Sequence, residues 1–255
     1  MERRFACTAC GKCCHGLIPL TIDDALAHAD KFPLVMSWTP VRQGGRSYKA
    51  TEKMGITIQL KKKKSAAIRI SPMAYIPSAF HCPELTEDGL CGIHEIKPTR
   101  CSTMPFSASR DESDQEDLLI PRPGWLCDTS SDAPVVYRDK TIVARSEYEV
   151  ELDLLRKDAS ILKPYATWLM QSVPSVAMEL QKVAMRPTGG MLIVGFSTLV
   201  PRLPKVDIYD VATKQLPIMK SYADRTRGIP NLKEFHKRYT EAATEWQSVV
   251  NTAST

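Results

Sequence analysis

Residues 5–16 read FACTACGKCCHG, placing Cys7, Cys10, Cys13 and Cys14 within eight positions. The other four cysteines follow at Cys82, Cys91, Cys101 and Cys127, and the second half of the chain has none. A turn between closely spaced cysteines aims two sulfurs at one centre, and soft thiolates select zinc or iron. The first half is therefore expected to fold around metal ligands rather than around regular elements alone.

Composition sets the frame. With 255 residues, 43% of them hydrophobic and 25% charged, the chain is long enough to bury a core and ordinary for a globular protein. No apolar run nears the roughly 18 residues that would span a bilayer. The charged start, MERRFAC, lacks the apolar segment of a secretory signal. A cytoplasmic location without membrane attachment is the expectation, and thiols stay reduced there, which favours metal over four disulfides. The net charge of +5 is concentrated before residue 72, whereas residues 72–127 are net acidic. Lys61–Lys64 is basic but has no interleaved aromatic side chains for stacking on bases, so nucleic acid is not the expected partner.

Working outward, Thr21 and Asp24 form a capping box for a helix running to about Phe32, before Pro33. Strands are expected at 46–50, 56–60 and 66–71, with Lys61–Ser65 as the tip of a hairpin. Residues 73–127 read as loops organised by metal, and DESDQED at 111–117 as a solvated loop. A short strand is expected at 135–138 and a buried one at 191–196. Helices are expected over 146–171, with Ser146 as cap and Pro164 kinking or dividing it, over 173–185, and over 232–250. In the last helix Phe235, Tyr239, Ala242, Trp246 and Val249 share one face. The fold class is thus α+β. A cysteine-rich region, 1–130, carries a small antiparallel hairpin and packs on a mostly helical region, 131–255.

The adjacent pair Cys13–Cys14 is informative, because neighbouring side chains diverge and rarely bind one ion together. One should join Cys7 and Cys10 while the other faces a second centre or stays a reactive thiol, so eight thiols point to two four-thiolate sites or to one cluster plus a second site. The spacing Cys7-x-x-Cys10-x-x-Cys13, with Cys82-Pro83, also fits a ferredoxin-type 4Fe-4S cluster, so iron–sulfur and zinc both stand. His15, His81 and His94 lie inside the cysteine blocks and are alternative ligands. Glu95 and Arg100, between Cys91 and Cys101, are candidates to steady the ligands or a substrate.

These blocks resemble the YkgJ-type CxxCxxCC cysteine-cluster family of zinc- or iron-chelating domains. Cys7, Cys10, Gly11, Cys13 and Cys14 fit its first block, and Cys82 and Leu85 its second. Cys91, Ile93, Pro98, Cys101, Pro105 and Phe106 fit the third, and Cys127 the late cysteine. His94, Lys97 and Ser102 depart from its usual Tyr, Arg and Arg. The resemblance extends to flagellin lysine N-methylases. That part of the resemblance implies S-adenosylmethionine chemistry, while the excess of thiols over one structural site and the charged residues of the third block point to a metal-dependent enzyme that modifies a protein or peptide. The residues supply no nucleotide loop for S-adenosylmethionine, since Gly189-Gly190 precedes a strand rather than following one. A zinc-stabilised interaction module and a metal-trafficking protein are the alternatives.

Overall fold

A computed structural model describes residues 2–60 and 64–253. Its main sheet is antiparallel and built on two long strands, β3 (Leu34–Arg42) and β5 (Ser65–Ala74), paired from Leu34↔Ala74 to Arg42↔Ala66. β4 (Ile56–Gln59) and β2 (Ile18–Pro19) pair with opposite ends of β5, and β8 (Leu192–Gly195) pairs with β3. A smaller sheet joins β1 (Glu2–Arg4), β6 (Val135–Arg138) and β7 (Thr141–Ile142). The helices are α1 (Ile22–Ala27), α2 (Tyr48–Met54), α3 (Thr99–Thr103), α4 (Ser146–Ser172), α5 (Pro174–Met185), α6 (Ile208–Thr226) and α7 (Lys233–Ala253). The architecture is α+β, with small antiparallel sheets and a helical C-terminal region.

Both faces of the central strands carry side chains into one core. Leu34, Met36 and Trp38 of β3 and Ile68 of β5 are sealed from solvent, as are Tyr239 and Trp246 of α7. The aromatic face expected for the last helix is therefore its buried face. This core runs from Leu20 to Trp246 in sequence and joins the two halves of the chain. Truncating Trp246 to Ala should cost about 3–5 kcal/mol, the usual penalty for deleting a fully buried aromatic ring. Chemical denaturation with an unchanged m-value would measure it.

Several expectations need correction. Residues 46–50 are not a strand: Ala50 and Thr51 face inward from α2, which stops at Gly55 where the chain turns into β4. α1 has the expected Thr21–Asp24 box but ends at Ala27, well short of Phe32. The following turn is held by Gln215 of α6, a helix that periodicity alone did not reveal. Its side-chain amide donates to the carbonyls of Ala29 (2.6 Å) and Phe32 (2.8 Å) and accepts from Leu34 N–H (2.9 Å). Gln215→Ala would strand three buried backbone groups and should cost about 3 kcal/mol. If urea unfolding of that variant matched the wild type, the bracing role would be wrong.

α4 starts at Ser146 with Arg145, not Ser146, at the capping position, and it runs through Pro164 without dividing. The acidic stretch 111–117 is not a solvated loop. It forms two 3-10 turns whose Gln115 is fully buried and whose Glu112 carboxylate accepts from Ile142 N–H (2.8 Å) and pairs with Arg145 (2.5 Å). At the basic hairpin, Leu60 N–H donates to Lys64 C=O (2.7 Å), while Lys61–Lys63 fall outside the described residues. Among the described residues no helix is long and apolar enough to cross a membrane.

Candidate metal centre

Backbone contacts bring cysteine segments that are distant in sequence next to one another at two places. Ala6 and Asp128 exchange hydrogen bonds in an antiparallel bridge (2.8 and 3.0 Å), which sets Cys7 beside Cys127. Thr8 Oγ1 adds a bond to Leu126 C=O (3.0 Å). Cys7 Sγ accepts from Ala9 N–H (3.4 Å), and the Cys10 sulfur accepts from the N–H groups of Lys12 and Leu126. The chain reaches this shape through left-handed backbone at Ala9 (φ 53°) and Gly11 (φ 67°). N–H groups aimed at sulfur favour the thiolate, and those on Cys10 lower its pKa. A thiolate is the form that binds metal.

The second place is around Cys14. Cys82 N–H donates to Cys14 C=O (2.8 Å), and His15 and His81 bridge next to them with ring centroids 4.2 Å apart. Leu85 and Cys91 bridge across the tight turn 82–91. Gly11 packs on that turn, where a Cβ would lie 3.0 Å from Gly89 C=O and 3.2 Å from Leu85 Cδ1. Any side chain at position 11 would push the two cysteine segments apart. Cys101 rides on α3, whose first residue, Thr99, is tied through N–H and Oγ1 to Asp24 Oδ1 (3.1 Å each).

The charge of Cys13 acts on Cys10 and Cys127 and also on Cys82 and Cys101. Cys127 is raised by burial and then by the charges of Cys10, Cys7 and Cys13. Cys101 is pushed up to about 12 by burial and then by Cys82, Cys91 and Cys13. The charges acting on Cys14 are those of Cys82, Cys101 and Cys91. Cys13 donates to Cys14, an S–H···S bond that raises Cys13 and lowers Cys14.

All eight cysteines are free thiols, so the donor chemistry suits a soft divalent ion or an iron–sulfur centre. Among the described residues no three His, Cys, Asp or Glu side chains are already closed to coordination distance. Of the secondary candidates, His94 and Glu95 are exposed on a 3-10 turn, and Glu95 forms no ion pair with Arg100. Arg100 points inward instead, 3.8 Å from the Glu151 carboxylate.

Seven of the eight free thiols lie outside regular elements and Cys101 on α3, and the donor type is the one soft metals take. Residues 6–119 match the model of the CxxCxxCC family, described as "Putative zinc- or iron-chelating domain". Over that span the chain is similar to the CxxCxxCC domains. Cys127 lies beyond the matched residues, and the Ala6–Asp128 bridge brings it in. No curated protein and no solved structure matches the chain.

Proposed function

We propose that the protein holds two all-cysteine metal centres, one formed by Cys7, Cys10, Cys13 and Cys127 and the other by Cys14, Cys82, Cys91 and Cys101. The observation that supports this is the pair of backbone links, Ala6 to Asp128 beside Cys7 and Cys127, and Cys14 to Cys82. Four protein sulfurs per ion fill a tetrahedral shell and leave no position open for substrate, the pattern of structural zinc. In this reading the centres brace the loops of residues 5–16, 82–103 and 126–128 against the helical body, as in a zinc-stabilised binding module. Residues Ala9, Lys12 and Leu126 supply the N–H groups that stabilise sulfur charge in the first centre.

Anaerobic purification with metal analysis and an electronic spectrum tests the metal. Two zinc ions per colourless chain are expected. A brown protein absorbing near about 400 nm would instead establish cysteine-ligated iron–sulfur chemistry. Ligation displaces thiol protons, so metal should be lost as pH falls and the sulfurs are reprotonated. A strong chelator should raise amide exchange in the cysteine loops before the α6–α7 helices respond. Equal exchange with and without chelator would sink the bracing role.

The second reading, a metal-dependent enzyme acting on a protein or peptide, is favoured by one observation. Arg100, next to Cys101, reaches the wall of an internal cavity and so links the second centre to a place where a small molecule could bind. The S-adenosylmethionine part of that reading rests on the family resemblance alone.

A further inference from the structure

Between α4 and β5 lies a cavity of about 70 Å3, whose lining includes Arg100, the residue before Cys101. Its walls carry Arg69, Arg100, Glu151, Asp158, Thr51 and Ser109. Two of the four charges answer each other: Arg100 stands 3.8 Å from Glu151, whose carboxylate also accepts from Ala108 N–H (2.9 Å). The other two do not. Arg69 makes one hydrogen bond, to Ser109 Oγ (3.2 Å), and among the described residues no ion pair. Asp158 is 2% exposed and accepts from Ile22 N–H (2.9 Å), again with no ion pair among the described residues. Its neighbour Lys157 turns outward to Asp23 (2.7 Å). Thr51 is equally buried, and its hydroxyl has no partner among the described residues.

Buried charges without partners are costly, and a fold keeps them seldom. Here a cation and an anion border one cavity without pairing across it. We propose that this cavity binds a small α-amino acid as its zwitterion, the carboxylate on the Arg69 guanidinium and the ammonium on the Asp158 carboxylate. Thr51 Oγ1 is placed to complete the hydrogen bonding. The volume suits a ligand of about five or six heavy atoms, glycine or alanine, since one water needs roughly 10–15 Å3 on this scale. The electrostatics agree. Burial, then Arg110 and Arg100, pull the Arg69 pKa down, which an arriving carboxylate would relieve. Burial holds the Asp158 carboxyl up to about 7, which an arriving ammonium would relieve.

The test is thermal unfolding and calorimetric titration of the metal-loaded full chain with glycine, alanine, acetate and methylammonium. Glycine or alanine should bind saturably and raise Tm by about 5 °C near hundredfold excess over Kd. Arg69→Met and Asp158→Asn should each abolish that response, and Ser109→Ala should weaken it while disturbing the fold least. No saturable response in the wild type would overturn the proposal. So would a response that survives in Asp158→Asn and Ser109→Ala alike, even if Arg69→Met failed to fold. Acetate acting as well as glycine would overturn the ammonium half and leave a carboxylate site. Metal content measured in every sample keeps these outcomes separate from loss of a cysteine centre.

Discussion

Replacing Cys101 with serine should leave one metal ion on the chain instead of two, and Cys10→Ser should remove the other. The two variants should also loosen different segments. Cys101→Ser frees α3 and the turn 82–91, while Cys10→Ser frees residues 5–13 and the strand contact at 126–128. The magnitude is large because a structural zinc contributes about 10–16 kcal/mol of apparent binding energy at neutral pH. That is comparable to the roughly 5–15 kcal/mol by which a whole domain is stable. Each loss should therefore melt its own loops outright. The vicinal pair sharpens the point: Cys13→Ser should behave like Cys10→Ser, and Cys14→Ser like Cys101→Ser. Metal counting by mass spectrometry, with amide exchange mapped onto the loops, decides. Identical metal loss and identical exchange in the Cys10 and Cys101 variants would mean one shared centre.

The second large effect is expected at Gly55, where α2 hands over to β4. A Cβ built there would sit 1.9 Å from Ile68 C=O and 2.9 Å from Thr51 C=O. Both are backbone atoms, so no side-chain rotation can make room. Gly55→Ala must lever α2 away from β5, breaking the approach that also closes the cavity around Arg69. Substitutions that force such a backbone rearrangement fall among the rare penalties of about 4 kcal/mol or more. For a chain of this size that lowers Tm on the order of 10 °C. A midpoint within a degree or two of the wild type would show that this helix can yield.

How much of this could be read beforehand depended on whether the cause was local. The cysteine spacing, the Thr21–Asp24 cap and the strand at 135–138 are short-range and could be read directly. The aromatic stripe of α7 was legible because its period survives intact over four turns. β3 was not. Leu34-Val-Met-Ser-Trp38 is buried on both faces, so it lacks alternation, and Pro40 argues against a strand. It forms because β5 and β8 flank it, with Pro40 beyond the stretch that β8 covers. α6 went unrecognised with it, although Gln215 is the residue that ties the start of β3 in place. The cavity left a faint trace. Glu151 and Asp158 fall in register with Leu155 and Leu162 on the inward face of α4, and Arg69 interrupts the apolar run of β5. A charge on a core-facing stripe is a signal, but only the fold shows that several such charges meet.

The pairing of β8 with β3 has a practical consequence. Residues 35–38 are buried in the central sheet, and their outer edge is covered by a strand from more than 150 positions later. A fragment ending near residue 130 would keep every cysteine yet present that edge bare. Uncovered apolar strand edges recruit copies of themselves. Such a fragment should therefore aggregate however fully it is supplied with metal, and the natural unit for expression is the longer chain.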